Sequence, residues 1–179
     1  MPAAGWRHTV GLLSDGRAAA SGCNRDGQCD IPVLTPGVTY SQVAAGACHT
    51  VLLCSDGSAV ACGSNRSGQC DIPALDPWMS YTQVDAGTWH TVLLRSDGRA
   101  VACGDPGDRQ CEIAELEAGA TYTQAAAGTW HTVLLRSDGA VVACGSSGDG
   151  QCDIPKLEPG LRYLQVAAGS SHTVRHPEA

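Results

Sequence analysis

Histidine is the first residue type whose spacing invites a chemical reading. His8, His49, His90, His131 and His172 each precede a threonine and stand 41 residues apart. Five imidazoles could surround a metal ion. Equal spacing, however, gives each ring an equivalent place in its own repeat, and equivalent places along an arc do not converge as ligands do. Each ring is therefore expected to hydrogen-bond backbone in its own or a neighbouring repeat. His176 falls off the period and reads as tail. No metal and no cofactor is assigned.

The ten cysteines suggest a disulfide or zinc framework until they are placed on the same period. Cys62, Cys103 and Cys144 share one repeat position, and Cys29, Cys70, Cys111 and Cys152 share another. No CxxC occurs, and a spacing of eight between the two positions matches no zinc pattern. Buried free cysteine behaves as a small hydrophobe, so core packing in a reducing compartment is expected. A disulfide between the two positions of one unit stays open. Cys23, Cys48 and Cys54 lie off both positions and are expected as exposed thiols. Ser-Asp-Gly beside histidine resembles the parts of a nucleophilic triad, but a nucleophile site is built once and these parts recur four times. There is no P-loop, GxGxxG or HExxH motif. No catalytic residue is assigned, and the reading is non-enzymatic.

The elements that would position these residues follow from the period. Gln-Cys, Tyr, Gln and Asp-Gly all recur with the step of 41, and 86–98 is identical to 127–139. One unit reads YxQVAAGxxHTVLL, Ser-Asp-Gly, then AVACG, then a polar loop and GQCDIPxLxPG. Asp-Gly between two apolar runs predicts a hairpin with a type I′ turn. Gly and Pro in every unit, and the lack of a 3.6-residue period, leave no helix. The expected fold is all-β, with three to four short strands per unit. Units of about 40 residues rarely fold alone, so copies must stack and bury both faces of each sheet. Radial stacking gives a β-propeller, and the small AAG tripeptides at 44–46, 126–128 and 167–169 suit strands crowded near an axis. The alternative, a β-solenoid, needs shorter rungs. The chain reads as a single repeat domain, 1–179, with units at about 8–48, 49–89, 90–130 and 131–171. The stretches 1–7 and 172–179 are partial-repeat overhangs.

Composition narrows the partners. The 179 residues carry 18 acidic and 11 basic side chains, a net charge of −7, and Lys156 is the single lysine. Such a chain is a poor match for nucleic acid or an anionic membrane, so no direct nucleic-acid contact and no membrane contact are expected. No 18-residue apolar run and no signal-peptide core occur, which points to an intracellular protein, cytoplasmic or nuclear.

The frame GxxHTVLLxSDGxxxACGxNxxGQCDIP resembles the regulator of chromosome condensation repeat. Gly46–His49, Asp56–Gly57, Cys62–Gly63 and Asn65–Gln69 fill its G-x-x-H, D-G, W-G and N-x-x-G-Q-L positions, with cysteine where that family has Trp and Leu. The likeness covers residues 5 to 173, and the unit is closer to compact versions of the repeat. The resemblance implies a seven-bladed propeller. Seven blades stand about 51° apart, so four would cover roughly 206°. The chain is then a fragment of a longer protein, an arc completed by a second copy, or a small closed propeller. Open terminal blades would favour self-association. The resemblance further implies a protein-protein interaction scaffold. Its alternatives are the partner-recruiting propeller of a HERC-type E3 ubiquitin ligase and guanine nucleotide exchange on a Ran-like small GTPase.

Recognition belongs where the units differ on a constant scaffold. The loop before Gln-Cys varies: Asn24, Arg25, Asp26; then Asn65, Arg66, Ser67; then Asp105 to Asp108 with Arg109 in place of glycine; then Ser146 to Asp149. Trp6, Trp89 and Trp130 lie just before the repeated histidine. Arginine and tryptophan are common interface anchors, so these loop residues and tryptophans are the protein-binding candidates.

Overall fold

A computed structural model describes residues 2–178. Among the described residues there are strands and no helix. Strands β1 (Ala3–Ala4), β2 (His8–Leu12) and β3 (Ala18–Gly22) form the first antiparallel sheet. The second is β4 (Tyr40–Ala45), β5 (His49–Cys54) and β6 (Ala59–Gly63). The third is β7 (Tyr81–Ala86), β8 (His90–Arg95) and β9 (Ala100–Gly104), and the fourth is β10 (Tyr122–Ala127), β11 (His131–Arg136) and β12 (Val141–Gly145). A fifth, two-stranded sheet pairs β13 (Arg162–Ala168) with β14 (Thr173–Glu178). The second, third and fourth sheets thus begin at the repeated tyrosine, whereas a unit counted from the histidine divides each sheet between its first and second strands. Both overhangs are structural. Residues before His8 supply β1, and His176, read as tail, sits on β14 opposite Gln165.

The core lies between sheets, which explains why the run HTVLL is buried without a break in β5. Neighbouring residues of a strand face opposite sides. In β5, Val51 and Leu53 pack with Tyr81, Val84 and Leu93 of the following sheet. Leu52 and Cys54 pack on the other side with Val10 of the preceding one. Equivalent clusters join the third sheet to the fourth and the fourth to the fifth. The second strand of each sheet packs on the first strand of the next, and β1, β4, β7, β10 and β13 adjoin in order. This is the radial arrangement of propeller blades, in an arc that does not close.

The Asp-Gly hairpins are not the type I′ turns expected. Gly57 has φ 82°, but among the described residues no aspartate takes a positive φ. The Gly57 N–H donates to the Cys54 carbonyl at 3.0 Å and the Cys54 N–H to the Ser58 carbonyl at 2.8 Å. The loop therefore has three residues, a type I turn closed by a left-handed glycine. The Asp56 carboxylate turns back to accept the Ser58 N–H at 2.9 Å, which holds the aspartate in the right-handed region.

At the inner rim a different glycine is required by close approach. A Cβ on Gly87 would lie 2.3 Å from His90 Cε1 and 2.4 Å from the Gly128 carbonyl oxygen of the next blade. Gly5, Gly46 and Gly128 repeat the arrangement, so the GxxH motif lets backbones stack around the axis over the histidine rings.

Candidate interaction face

Antiparallel pairing brings the turn between the first two strands of a blade to the same end as the loop leaving the third. Four bonds mark this: Cys23 N–H to the Arg7 carbonyl at 2.7 Å, Ser64 to Cys48 at 2.8 Å, Asp105 to Trp89 at 2.9 Å and Ser146 to Trp130 at 2.8 Å. The tryptophan turns and the variable loops, separate in sequence, therefore share one face of the arc. The Asp-Gly hairpins occupy the opposite face.

This face is anchored to the joints between blades. His49 Nε2 lies 3.1 Å from Thr91 Oγ1 of the next blade, and that hydroxyl donates to the Gln69 carbonyl at 2.7 Å. The hydroxyl has one proton to give, so the ring must donate from Nε2–H. Equivalent links join His8 to Thr50, His90 to Thr132 and His131 to Thr173, each threonine bonding a glutamine carbonyl. The histidines thus bond a threonine hydroxyl across the blade joint, and for His8, His49 and His131 the backbone of the next blade's histidine, as expected, also acts on the ring. The glutamines Gln28, Gln69, Gln110 and Gln151 then accept loop N–H groups of Asp26, Ser67, Asp108 and Asp149 at 2.9–3.1 Å. One chain of bonds runs from each blade, through its neighbour, into its own variable loop.

Burial pushes the His49 ring down to about 4 and His90 to about 3, with the neighbouring histidines adding to the shift. At neutral pH these rings are uncharged. Burial also raises the thiols of Cys62, Cys103 and Cys144 to about 12 and of Cys70 and Cys111 to about 11. Such thiols are weak nucleophiles. The two cysteine positions donate to carbonyls instead: Cys70 to Ser64 at 3.3 Å, and Cys62 to Gln28 of the preceding blade at 3.7 Å. Cys54, expected as an exposed thiol, is buried; it continues the strand alternation beside Leu52, while Cys23 and Cys48 are half-buried. Among the described residues no three His, Cys, Asp or Glu side chains cluster as metal ligands would.

The candidate residues differ in what they leave available. Trp6 is 64% exposed and meets Trp89, two blades away, edge to face at a centroid distance of 6.2 Å. Ala47 of the intervening blade is buried at the same mouth of the axial opening. Trp89 and Trp130 are half-buried. Arg25, Arg66, Asp108, Arg109 and Asp149 are exposed. Arg66 reaches within 3.7 Å of Asp26 on the preceding blade. Asn24 and Asn65 staple their own loops, each bonding an aspartate at 2.7 Å and a cysteine N–H at 2.8–2.9 Å. Asp105 accepts the Gly107 N–H at 2.8 Å. Arg109 has φ 64°, the left-handed conformation that glycine provides in the other blades, so this arginine is held in strain on the face.

Asp85 escaped the sequence reading. It stands where the other inner strands have Ala44, Ala126 and Ala167, and its carboxylate accepts the Ala86 N–H and, across the joint, the Ala127 N–H, both at 2.9 Å. Enclosure between blades raises its pKa, the two N–H groups opposing the shift. The signal was present as DAG in place of AAG.

An open arc of radially stacked, three-stranded antiparallel blades defines a partial β-propeller. The chain belongs to the regulator of chromosome condensation (RCC1) repeat family, whose model matches residues 3–28, 40–69, 81–110 and 122–151, more than half of the sequence. Among solved structures it is similar to human WBSCR16, at a TM-score of 0.80 and 19% identity, covering 94% of this chain and 56% of that one. It is also similar to yeast RCC1 (Prp20) in its complex with Kap60, at a TM-score of 0.76 and 20% identity, covering 95% and 52%. A third likeness is to the CRINKLY WD40 ectodomain of the Arabidopsis thaliana receptor kinase ACR4, at 0.77 and 17%, covering 99% and 67%. At these identities the likeness is one of fold. The chain spans about half the length of the first two structures. No curated protein sequence matches it.

Proposed function

We propose that this chain is a non-enzymatic protein-interaction module which presents Trp6, Arg25, Arg66, Arg109 and their neighbouring loop residues on one rigid face. The observation that carries this reading is the His–Thr–Gln link. It fixes each variable loop to the joint between two blades, so that ordering the loops on binding costs little. Protein partners are a precedent in the family: the yeast relative is seen bound to Kap60, and its structure is described together with binding to Gsp1p and histones. An intracellular setting, cytoplasmic or nuclear, is supported by thiols that hydrogen-bond carbonyls and stand free of one another. Self-association through the terminal blades is part of the same reading, with Leu13, just past β2, and Leu164, on β13, exposed at the two end blades.

Proximity labelling in cells with the full chain tests the module. A Trp6→Ala/Arg25→Glu/Arg66→Glu variant should lose its partners, while Arg99→Glu on the hairpin face keeps them. Equal labelling by both variants, or accelerated nucleotide release from a Ran-like GTPase by the purified chain, would replace this reading.

A further inference from the structure

The outer strand of blade 1 has a row of backbone groups with no partner. Its β3 pairs with β2 alone, in the register Thr9↔Ser21 and Gly11↔Ala19. The Leu13–Arg17 and Cys23–Arg7 bonds at either end fix the phase of the ladder. Ala19 and Ser21 therefore bond inward, and the N–H and carbonyl groups of Ala18, Ala20 and Gly22 point outward. Among the described residues none of these outward groups meets a hydrogen-bonding partner. Propeller blades typically have four strands. Here the connection 31–38 pairs with no strand; it packs Ile31, Leu34 and Val38 on the core beside Ala18 and Ala20, and leaves a groove of 460 Å³ lined by Ala18, Ile31, Val33, Leu34 and Tyr40.

The other blades share the three-strand plan but not the surface. Exposed sheet edges are normally guarded by charge. The connections of blades 2, 3 and 4 carry Ala74 and Asp76, Glu115 and Glu117, and Lys156 and Glu158 at two equivalent positions. Blade 1 alone has no charge there: it has Val33, which is 99% exposed, and Thr35. The charges that do line the groove, Asp15 and Arg17, pair with each other at 2.7 Å.

We propose that the outer edge of blade 1 binds an extended, uncharged apolar segment of a partner polypeptide as a fourth strand. The outward groups of Ala18 and Ala20 supply the main-chain bonds, and alternate partner side chains enter the groove beside Val33 and Leu34. A second copy of this chain is a poor occupant. Its own β3 turns Ala18 and Ala20 towards its core and offers only Ala19 and Ser21 to fill the space. The site lies on the rim, apart from the loop face, and variants can separate the two.

The probe is a short, blocked, fluorescent peptide of alternating valine and threonine, titrated by anisotropy against the full chain. Saturable binding is expected. Ala20→Pro removes an outward N–H at an edge position that tolerates proline and should weaken binding about tenfold. Val33→Glu/Thr35→Asp, on the surface and harmless to the core, should do the same, whereas Trp6→Ala should leave it unchanged. Absence of saturable binding, or equal binding by the folded Ala20→Pro and Val33→Glu/Thr35→Asp proteins, overturns the proposal. So does a dimer of the peptide-free chain that Ala20→Pro dissolves, since a second copy would then own the edge. Peptide binding lost while the loop-face partners persist separates this site from the module reading.

Discussion

His49 donates from Nε2 to Thr91 Oγ1 across a blade joint, and both side chains are fully buried. The threonine hydroxyl in turn donates a hydrogen bond to the Gln69 carbonyl. Replacing Thr91 by valine keeps the shape but leaves an imidazole N–H and a carbonyl without partners. Unmet buried groups cost about 1–3 kcal/mol each. Urea denaturation should show Thr91→Val destabilised by at least about that amount. Thr9, at the same repeat position in blade 1, is exposed. Thr9→Val should shift stability by no more than about 0.5 kcal/mol. Equal effects at the two sites would remove the link from its structural role.

The same rings set a pH dependence. His49 and His90 stay neutral in the fold down to about 4 and about 3, whereas a histidine in the unfolded chain takes up a proton near 6.5. Between those values the unfolded state holds more protons, so stability rises with pH and is lost as pH falls below about 6.5. Each ring contributes a slope of up to about 1.4 kcal/mol per pH unit. Urea midpoints measured from pH 7 to pH 4.5 should fall steadily. A flat profile would mean that the rings find room to charge.

Much of this architecture was legible in the sequence because the repeat repeats its contacts. Tyr40, Val43, Val51 and Leu53 recur in phase, and their alternation requires two buried faces per sheet. The partner of each histidine was present too, in the dipeptide itself: with His-Thr in every unit, ring and hydroxyl meet 42 residues apart, one period plus one. Strand parity would likewise have placed Cys54 inside. Other features have no periodic trace. Trp6 and Trp89 occupy different positions of their turns and meet because blade 2 has the small Ala47 between them. The turn type depends on how far the ladder extends, which Asp-Gly alone does not state.

The inner glycines separate steric from conformational demand. Gly87→Ala would place a methyl group against the His90 ring and the Gly128 carbonyl. Backbone cannot yield there without moving a blade, so a loss of about 3 kcal/mol or more is expected, at or beyond the upper end of ordinary overpacking. Gly148→Ala, in an open loop with nothing within 4 Å and no positive φ, should be neutral. Thermal unfolding of the two variants side by side decides the matter, and a stable Gly87→Ala protein would deny the close stacking.

Asp85 should oppose the histidines. Burial raises its pKa in the fold above the usual carboxylate value, so between the two values the folded state holds the extra proton. Its contribution is then largest below the unfolded pKa and declines as pH rises through the folded one. Asp85→Ala, which restores the residue found in the other blades, removes this dependence together with two hydrogen bonds. The stability of the natural chain relative to Asp85→Ala should therefore decrease from pH 4 to pH 7, although both proteins gain from their neutral histidines over that range. Parallel urea titrations give the difference directly. A difference that stays constant would mean the Ala86 and Ala127 N–H groups fully offset the burial of the charge, and one that grows would reverse the sign assigned to this carboxylate.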